Sequence, residues 1–313
     1  MQIIDAKTVG SRLTPRALVA ALERMFRDGC AAPARHHHTV PVPGAPDATL
    51  LLMPAWRAGT YLGIKLVTVF PGNAQKALPA VSAAYVLMDA TTGAIKALID
   101  GGELTARRTA ATSALAARFL ARPEARTLVV VGTGRIARAL ADFHLALRPS
   151  LRAVVVWGRS AAHAGEFAAD LARRGIQASA SDDLARAVAT ADIVSVATLS
   201  TTPLVRGEWV RPGTHVDLVG GYTPEMREAD DALIRKARVF VDTREGGLKE
   251  PGDIVAPIAA GILDPAAVAD LHDLCRDAND ARRTPEEITV FKSVGAALED
   301  LAAAIEIVEP ATP

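Results

Sequence analysis

The spacing of apolar and polar positions divides the chain into two rhythms. Over the first hundred residues it is mostly strand-like: Thr49–Met53, Thr60–Phe70, Tyr85–Met88 and Ile95–Asp100 predict strands, with Pro54, Pro71-Gly72-Asn73 and Thr92-Gly93 as breakers. Asp89 to Gly93 has the residue types of a hairpin connection. An early helix is predicted from Thr14-Pro15, where Leu18, Ala21, Leu22 and Met25 recur at helical spacing. A second helix is expected with Thr105 as its N-cap and Ala111, Leu115 and Phe119 as its apolar stripe.

After Pro123 the rhythm changes. Thr127–Val131 and Ala153–Trp157 are continuous apolar runs, the pattern of strands buried on both faces. They alternate with helical stretches to about Leu147, at 161–173 and at 182–190, and with strand-like segments at 176–180, 193–197, 215–219 and 239–242. That alternation predicts an α/β fold, a doubly wound parallel sheet of Rossmann type. The tail from Ile288 reads as a short strand followed by a helix over Ala296–Ile307.

Composition narrows the class. Half of the 313 residues are hydrophobic, enough for a sizeable core. Thirty-five basic side chains balance 35 acidic ones, which leaves no global charge to attract nucleic acid or an anionic membrane. Two cysteines, Cys30 and Cys275, cannot build a disulfide framework and point to a reducing compartment. With no signal core and no run of roughly 18 apolar residues, a soluble cytoplasmic protein is expected.

The chemistry begins at Gly132-Thr133-Gly134-Arg135-Ile136-Ala137, a G-x-G-x-x-A loop between a buried strand and a helix. Such a loop needs glycine for the tight turn, glycine again where a pyrophosphate nears the backbone, and a small residue where helix and strand pack. No acidic residue follows the second strand; Arg159-Ser160 stand there instead, which suits a 2′-phosphate and predicts NADP(H) over NAD(H).

Several segments in order along the chain resemble the ornithine cyclodeaminase/μ-crystallin family. They are Lys65 to Asn73, Gly101 to Ala111 with Arg108, the glycine loop, Ala191 to Pro203, Val219 to Pro224 with Arg227-Glu228, and Ile288 to Gly295. The resemblance implies a Rossmann domain, 121–289, inserted into a discontinuous α+β domain for substrate binding and dimerisation, 1–120 plus 290–313, in a homodimer. It implies an oxidoreductase whose reactions centre on an α-imino acid beside a nicotinamide. Arg35, Lys65 and Arg108 would hold the substrate carboxylate, for which arginine is the natural bidentate partner. Arg108 is expected near a helix N-terminus, which also favours an anion. Thr109, Thr198, Ser200 and Gly220 would join the glycine loop, Arg159 and Ser160 around the cofactor, and Lys292 and Ser293 would approach nicotinamide or substrate.

One departure decides the expected reaction. Cyclodeaminases of the family carry an Asp after the second glycine of the Gly-Gly loop; here that position is Tyr222, and Met226 replaces a Lys further on. Without that carboxylate the obvious base for a protonated amine is missing. The expectation is therefore NADPH-dependent reduction of a small cyclic α-imino acid, of Δ1-pyrroline-2-carboxylate or Δ1-piperideine-2-carboxylate type, with Tyr222 as a hydrogen-bond donor or packing group. Ornithine cyclodeamination, alanine dehydrogenation and non-catalytic NADP binding are the alternatives. No metal is expected: His36-His37-His38 would alternate across a strand and have no acidic or cysteine partners. Asp182-Asp183 reads as a helix cap, Asp217 as a structural hydrogen bonder, and Arg107 as a surface ion-pair partner.

Overall fold

The computed structural model describes residues 1–76, 78–277 and 281–309. The chain divides into two compact units, Met1–Arg108 with the segment from Ala296, and Thr109–Gly295. The boundaries thus lie at 108/109 and 295/296 rather than at the expected 120/121 and 289/290. The strand Thr289–Lys292 pairs within the second unit's sheet and so does not belong with the C-terminal helix. Residues 310–313 of the expected tail segment lie outside the described residues. Among the described residues no helix is long and apolar enough to cross a membrane.

The first unit is built on six strands: β1 (Gln2–Ile4), β2 (His36–Val40), β3 (Ala48–Arg57), β4 (Tyr61–Val69), β5 (Val81–Asp89) and β6 (Ile95–Asp100). Their order is β1-β6-β5-β4-β3-β2, with β1 parallel to β6 and the other neighbours antiparallel. Alternation along the strands sends Met53, Ala55, Lys65, Val67, Tyr85, Leu87, Ala97 and Ile99 to one buried face. The helices Pro15–Asp28 and Ala297–Val308 pack against each other, and the latter against β3, β4 and β5. Pro54, read as a breaker, lies inside β3. It is tolerated because, although Pro54 stands opposite Ile64 of β4, the N–H side of this position faces the other way, as Trp56 two residues on donates to Ala31, and there β2 has already ended opposite Leu52. His36–His38 form the exposed edge strand β2, and no group of residues suited to a metal ion occurs among the described residues.

The second unit is an eight-stranded, wholly parallel sheet. Its strands are β7 (Thr127–Val131), β8 (Ala153–Trp157), β9 (Gln177–Ala180), β10 (Ile193–Val196), β11 (His215–Leu218), β12 (Arg238–Val241), β13 (Ala269–Asp270) and β14 (Thr289–Lys292). The order β13-β12-β14-β11-β10-β7-β8-β9 puts β7, the first strand, beside both β8 and β10. The chain winds in one direction from β7 to β9 and in the other from β10 outward, so the crevice at the carboxyl ends of β7 and β10 is the topological switch point. The predicted doubly wound sheet is therefore present.

The helix expected from Thr105 begins at Gly101, because Asp100 rather than Thr105 caps it, accepting from the Glu103 N–H at 2.7 Å. Arg108 consequently lies two turns inside the helix, and the expected help from the helix N-terminus is lost.

Candidate functional site

In the second unit the glycine loop follows β7 directly. Gly132 has φ of 122°, and a Cβ there would stand 2.6 Å from the Ala197 carbonyl oxygen, so both backbone conformation and space demand glycine. Gly134 is the N-cap of the helix Arg135–Leu147 and makes no side-chain cap, so the helix's first N–H groups face the loop. A Cβ at Gly134 would meet nothing within 4 Å, the open approach a bound pyrophosphate needs. Ala137 is fully buried, where the helix closes on the sheet.

A cavity of about 330 Å³ opens at this switch point, lined by Gly132, Thr133, Arg159, Ser160, Thr198 and Ser200 among others. Six of the predicted cofactor residues thus share one pocket. Arg159 is exposed at its rim, and Gly158 lets the second strand's end approach, since a Cβ there would meet Thr133 Cγ2 at 2.7 Å. Gly134 and Arg135 are exposed and Ile136 half-buried beside it on the loop and helix start, whereas Thr109 is buried in its helix. These loops have the shape and donors that a nicotinamide dinucleotide requires.

Behind the pocket lies a charged network that sequence reasoning missed. Glu228 is fully buried. One of its oxygens accepts from the Thr198 N–H at 2.8 Å and the Thr198 hydroxyl at 2.9 Å; the other accepts from Gly220 N–H at 2.8 Å and Gly221 N–H at 3.3 Å. It thereby ties the loop after β10 to the loop after β11. Lys292 lies 3.4 Å from Glu228 and 3.1 Å from Asp253, all three side chains fully buried. Asp253 in turn accepts from the N–H groups of Glu228 and Ala229. Burial, with Asp253 nearby, raises the Glu228 carboxyl above its usual range despite Lys292. Of the two residues expected near nicotinamide or substrate, Lys292 pairs with two carboxylates, and the Ser293 hydroxyl donates to Asp242. Tyr222, on the loop above Glu228, is exposed.

Asp217 has the structural role expected of it. It accepts from His144 and His215, each at 2.8 Å, and from the Ser195 hydroxyl at 3.2 Å. Burial works against its charge, yet the two histidines hold its carboxyl down to about 2. Burial keeps His215 below its ordinary value, which favours the neutral ring.

In the first unit the candidate carboxylate clamp is a buried cluster. Lys65, central in β4, lies 2.8 Å from Asp300 Oδ2. Arg108 donates through Nε to Asp300 Oδ1 at 2.9 Å and through Nη1 to Glu299 Oε2 at 2.7 Å. Burial pushes the Lys65 ammonium down to about 8 against the pull of Asp300, with Arg108 and Arg35 repelling it. Burial also opposes the Arg108 charge, but Asp300 and Glu299 outweigh it and hold the guanidinium above its usual value. Arg35 is half-buried and within electrostatic reach of Lys65. Arg107 makes the ion pair expected of it, 3.4 Å from Glu103. Tyr85 faces Lys65 across the β4–β5 ladder, and its buried hydroxyl stands where a side chain on Gly63 would otherwise be.

Comparison with known proteins settles the family. A model described as the ornithine cyclodeaminase/mu-crystallin family matches residues 2–312. The chain belongs to this family. Among its relatives, a Delta(1)-pyrroline-2-carboxylate reductase of Paracoccus denitrificans is 42% identical over 286 residues, 88% of this chain and 90% of that protein. A ketimine reductase mu-crystallin of Rattus norvegicus is 37% identical over 81% of this chain and 77% of its own length. Among solved structures, a Delta(1)-pyrroline-2-carboxylate reductase of Thermococcus litoralis, in complex with NADH and L-proline, superposes with a TM-score of 0.90 at 31% identity, covering 99% of this chain and 97% of the other. In this family member, then, the switch-point pocket and the buried Lys65–Arg108 cluster are the two places that carry the motifs quoted above.

Proposed function

We propose that this oxidoreductase reduces a small cyclic α-imino acid, of Δ1-pyrroline-2-carboxylate or Δ1-piperideine-2-carboxylate type, to the amino acid with NADPH as donor. The observation that carries reduction over cyclodeamination is Tyr222. An exposed phenol stands where a cyclodeaminase has a carboxylate, and the two carboxylates beneath that loop are committed to backbone donors and Lys292. Tyrosine has an ordinary pKa of about 10 and is a poor base near neutrality. A preformed imine does not need that base; it needs its carboxylate held and its nitrogen protonated.

On this reading Arg108 and Lys65, with Arg35, hold the carboxylate, and the loops at Gly132–Ile136, Arg159–Ser160, Thr198–Ser200 and Gly220 hold the dinucleotide. The nicotinamide supplies the hydride when bound. NADP(H) is favoured because an arginine rather than an acid follows β8, although the Thermococcus relative was solved with NADH. The named reductases among the relatives support the reaction class.

A homodimer fits the free face of the first sheet. Ile3 and Leu98 are exposed there, and Val86, Ile64, Leu62 and Leu66 are half-buried, a contiguous apolar surface across four strands. Val86→Glu should yield a monomer in sedimentation velocity; an unchanged mass would remove this face from the assembly.

The function is tested with a panel of cyclic imines, linear ketimines, ornithine and alanine, each with both cofactors. Arg108→Ala should abolish imine reduction while leaving NADPH affinity intact. Ammonia release from ornithine at a rate comparable to imine reduction would overturn the reading, and a clear preference for NADH would overturn the role of Arg159.

A further inference from the structure

Lys65 and Arg108 come from different elements, β4 and the helix Gly101–Leu120, and both cations are buried. Left alone they would repel. A single carboxylate touches both: Asp300 offers Oδ2 to Lys65 at 2.8 Å and Oδ1 to Arg108 Nε at 2.9 Å, and its own side chain is fully buried on the C-terminal helix. Glu299, its neighbour, reaches Arg108 through Nη1. The two acids therefore have different duties, although they are adjacent in sequence.

We infer that Asp300 is a positioning residue that yokes Lys65 to Arg108 and presents them to the substrate as one preset cationic pair. The inference rests on the reading that these two groups hold the substrate carboxylate. Asp300 touches neither carboxylate nor hydride acceptor in this scheme; it acts through its partners. A carboxylate can accept from two cations at once along its separate oxygens, and its charge offsets the cost of burying them. An asparagine has no charge and turns an NH2 toward one of the two cations where Asp300 offered an oxygen, so it cannot neutralise both.

The consequence is specific to Lys65. The groups facing its ammonium are Asp300 from the C-terminal helix, Arg108 from its helix, Arg35 from the segment before β2, and the Tyr85 phenol from β5, which burial and Asp300 keep protonated. Among these groups Asp300 supplies the negative charge. With Asp300→Asn, Lys65 faces two positive groups in a buried site and sheds its proton at lower pH. The alkaline limb of log kcat/KM should move acidward by about one unit or more, the usual effect of removing a close counter-charge. Glu299→Gln, which touches Arg108 and not Lys65, should leave the limb where it is. A purely structural role for Asp300 would lower kcat/KM at every pH without moving the limb.

The decisive measurement does not need turnover. With lysine labelled at 13Cε and the Lys65 signal assigned by Lys65→Arg, its titration is followed by NMR in the full-length protein and in the Asp300 variants. Asp300→Asn should lower the Lys65 midpoint by the same amount as the kinetic limb. Asp300→Glu, which keeps the charge on a longer stem, should hold the midpoint close to that of the unmodified chain while raising KM. An unmoved midpoint in Asp300→Asn, or equal shifts in both variants, overturns the inference even if imines are reduced. A shifted midpoint in a protein that reduces no imine leaves the yoke standing and refutes the proposed reaction instead. Should Asp300→Asn fail to fold, the Asp300→Glu arm still decides, because loss of Lys65 charge there refutes the yoke.

Discussion

Removing the Glu228 carboxylate should disconnect the two loops that follow β10 and β11. Four donors converge on it, the Thr198 N–H and hydroxyl and the N–H groups of Gly220 and Gly221, with the Lys292 ammonium as a fifth neighbour. In Glu228→Ala every donor loses its acceptor, and the Lys292 charge keeps Asp253 alone. Breaking a buried charge network of this kind costs about 3–5 kcal/mol. Glu228→Gln keeps the volume and one oxygen. The amide can be turned so that its oxygen serves the two glycines and its NH2 donates to the Thr198 hydroxyl. The Thr198 N–H is then the donor left facing an NH2, which costs about 1–3 kcal/mol. It also removes one of two negative charges around Lys292 and leaves Asp253 as the counter-charge. For a unit of this size each kcal/mol moves the midpoint by about 2–4 °C, giving a fall of about 6–20 °C for alanine and clearly less for glutamine. Thermal unfolding followed by circular dichroism, with urea midpoints at constant m, measures both. Equal effects of the two variants, or a change under about 1 °C for alanine, would refute the account of Glu228 as the tie between the loops.

Two further outcomes follow from the same unit. Gly132→Ala should not give a stable protein, because its Cβ would meet the Ala197 carbonyl at a φ that L-residues avoid; Gly134→Ala should fold normally and lose at least about tenfold in NADPH affinity by titration calorimetry, since its Cβ fills space left open for the pyrophosphate. The Asp217 carboxyl sits at about 2 in the folded protein against an ordinary 3.8, so it contributes stability above the higher value that is lost as pH falls from about 4 to 2, on the order of 2 kcal/mol. His215 adds an earlier slope of the same sign, because the unfolded chain binds its proton first below about pH 6.5. Urea midpoints against pH should therefore decline in two stages, and Asp217→Asn should be less stable at neutrality with a flatter slope below pH 4; an unchanged slope contradicts the assignment.

Part of this protein is legible from local pattern. The buried runs of β7, β8 and β10, the glycine loop between β7 and its helix, and Lys65 as an odd charge in an apolar strand all follow from periodicity and steric need, which neighbouring residues carry by themselves. Arg159 belongs to the same class, since it is found by counting along one strand end. What pattern could not supply is partnership across the chain. Asp300 meets Arg108 across 192 positions, and Glu228 meets Thr198 across 30. Neither spacing has a signature, because the pairing depends on which elements stack. Lys292 and Ser293 stand in a family motif, but their partners Glu228, Asp253 and Asp242 lie on other segments of the chain and have no local signature. The helix of Arg108 began five residues early because Asp100 was the better cap, which moved the arginine from a helix end into the interior. Sequence alone determined the layered architecture and the backbone shape of the dinucleotide loop; tertiary structure decided which buried charges answer one another, because burial makes each lone charge untenable and leaves the choice of partner to packing.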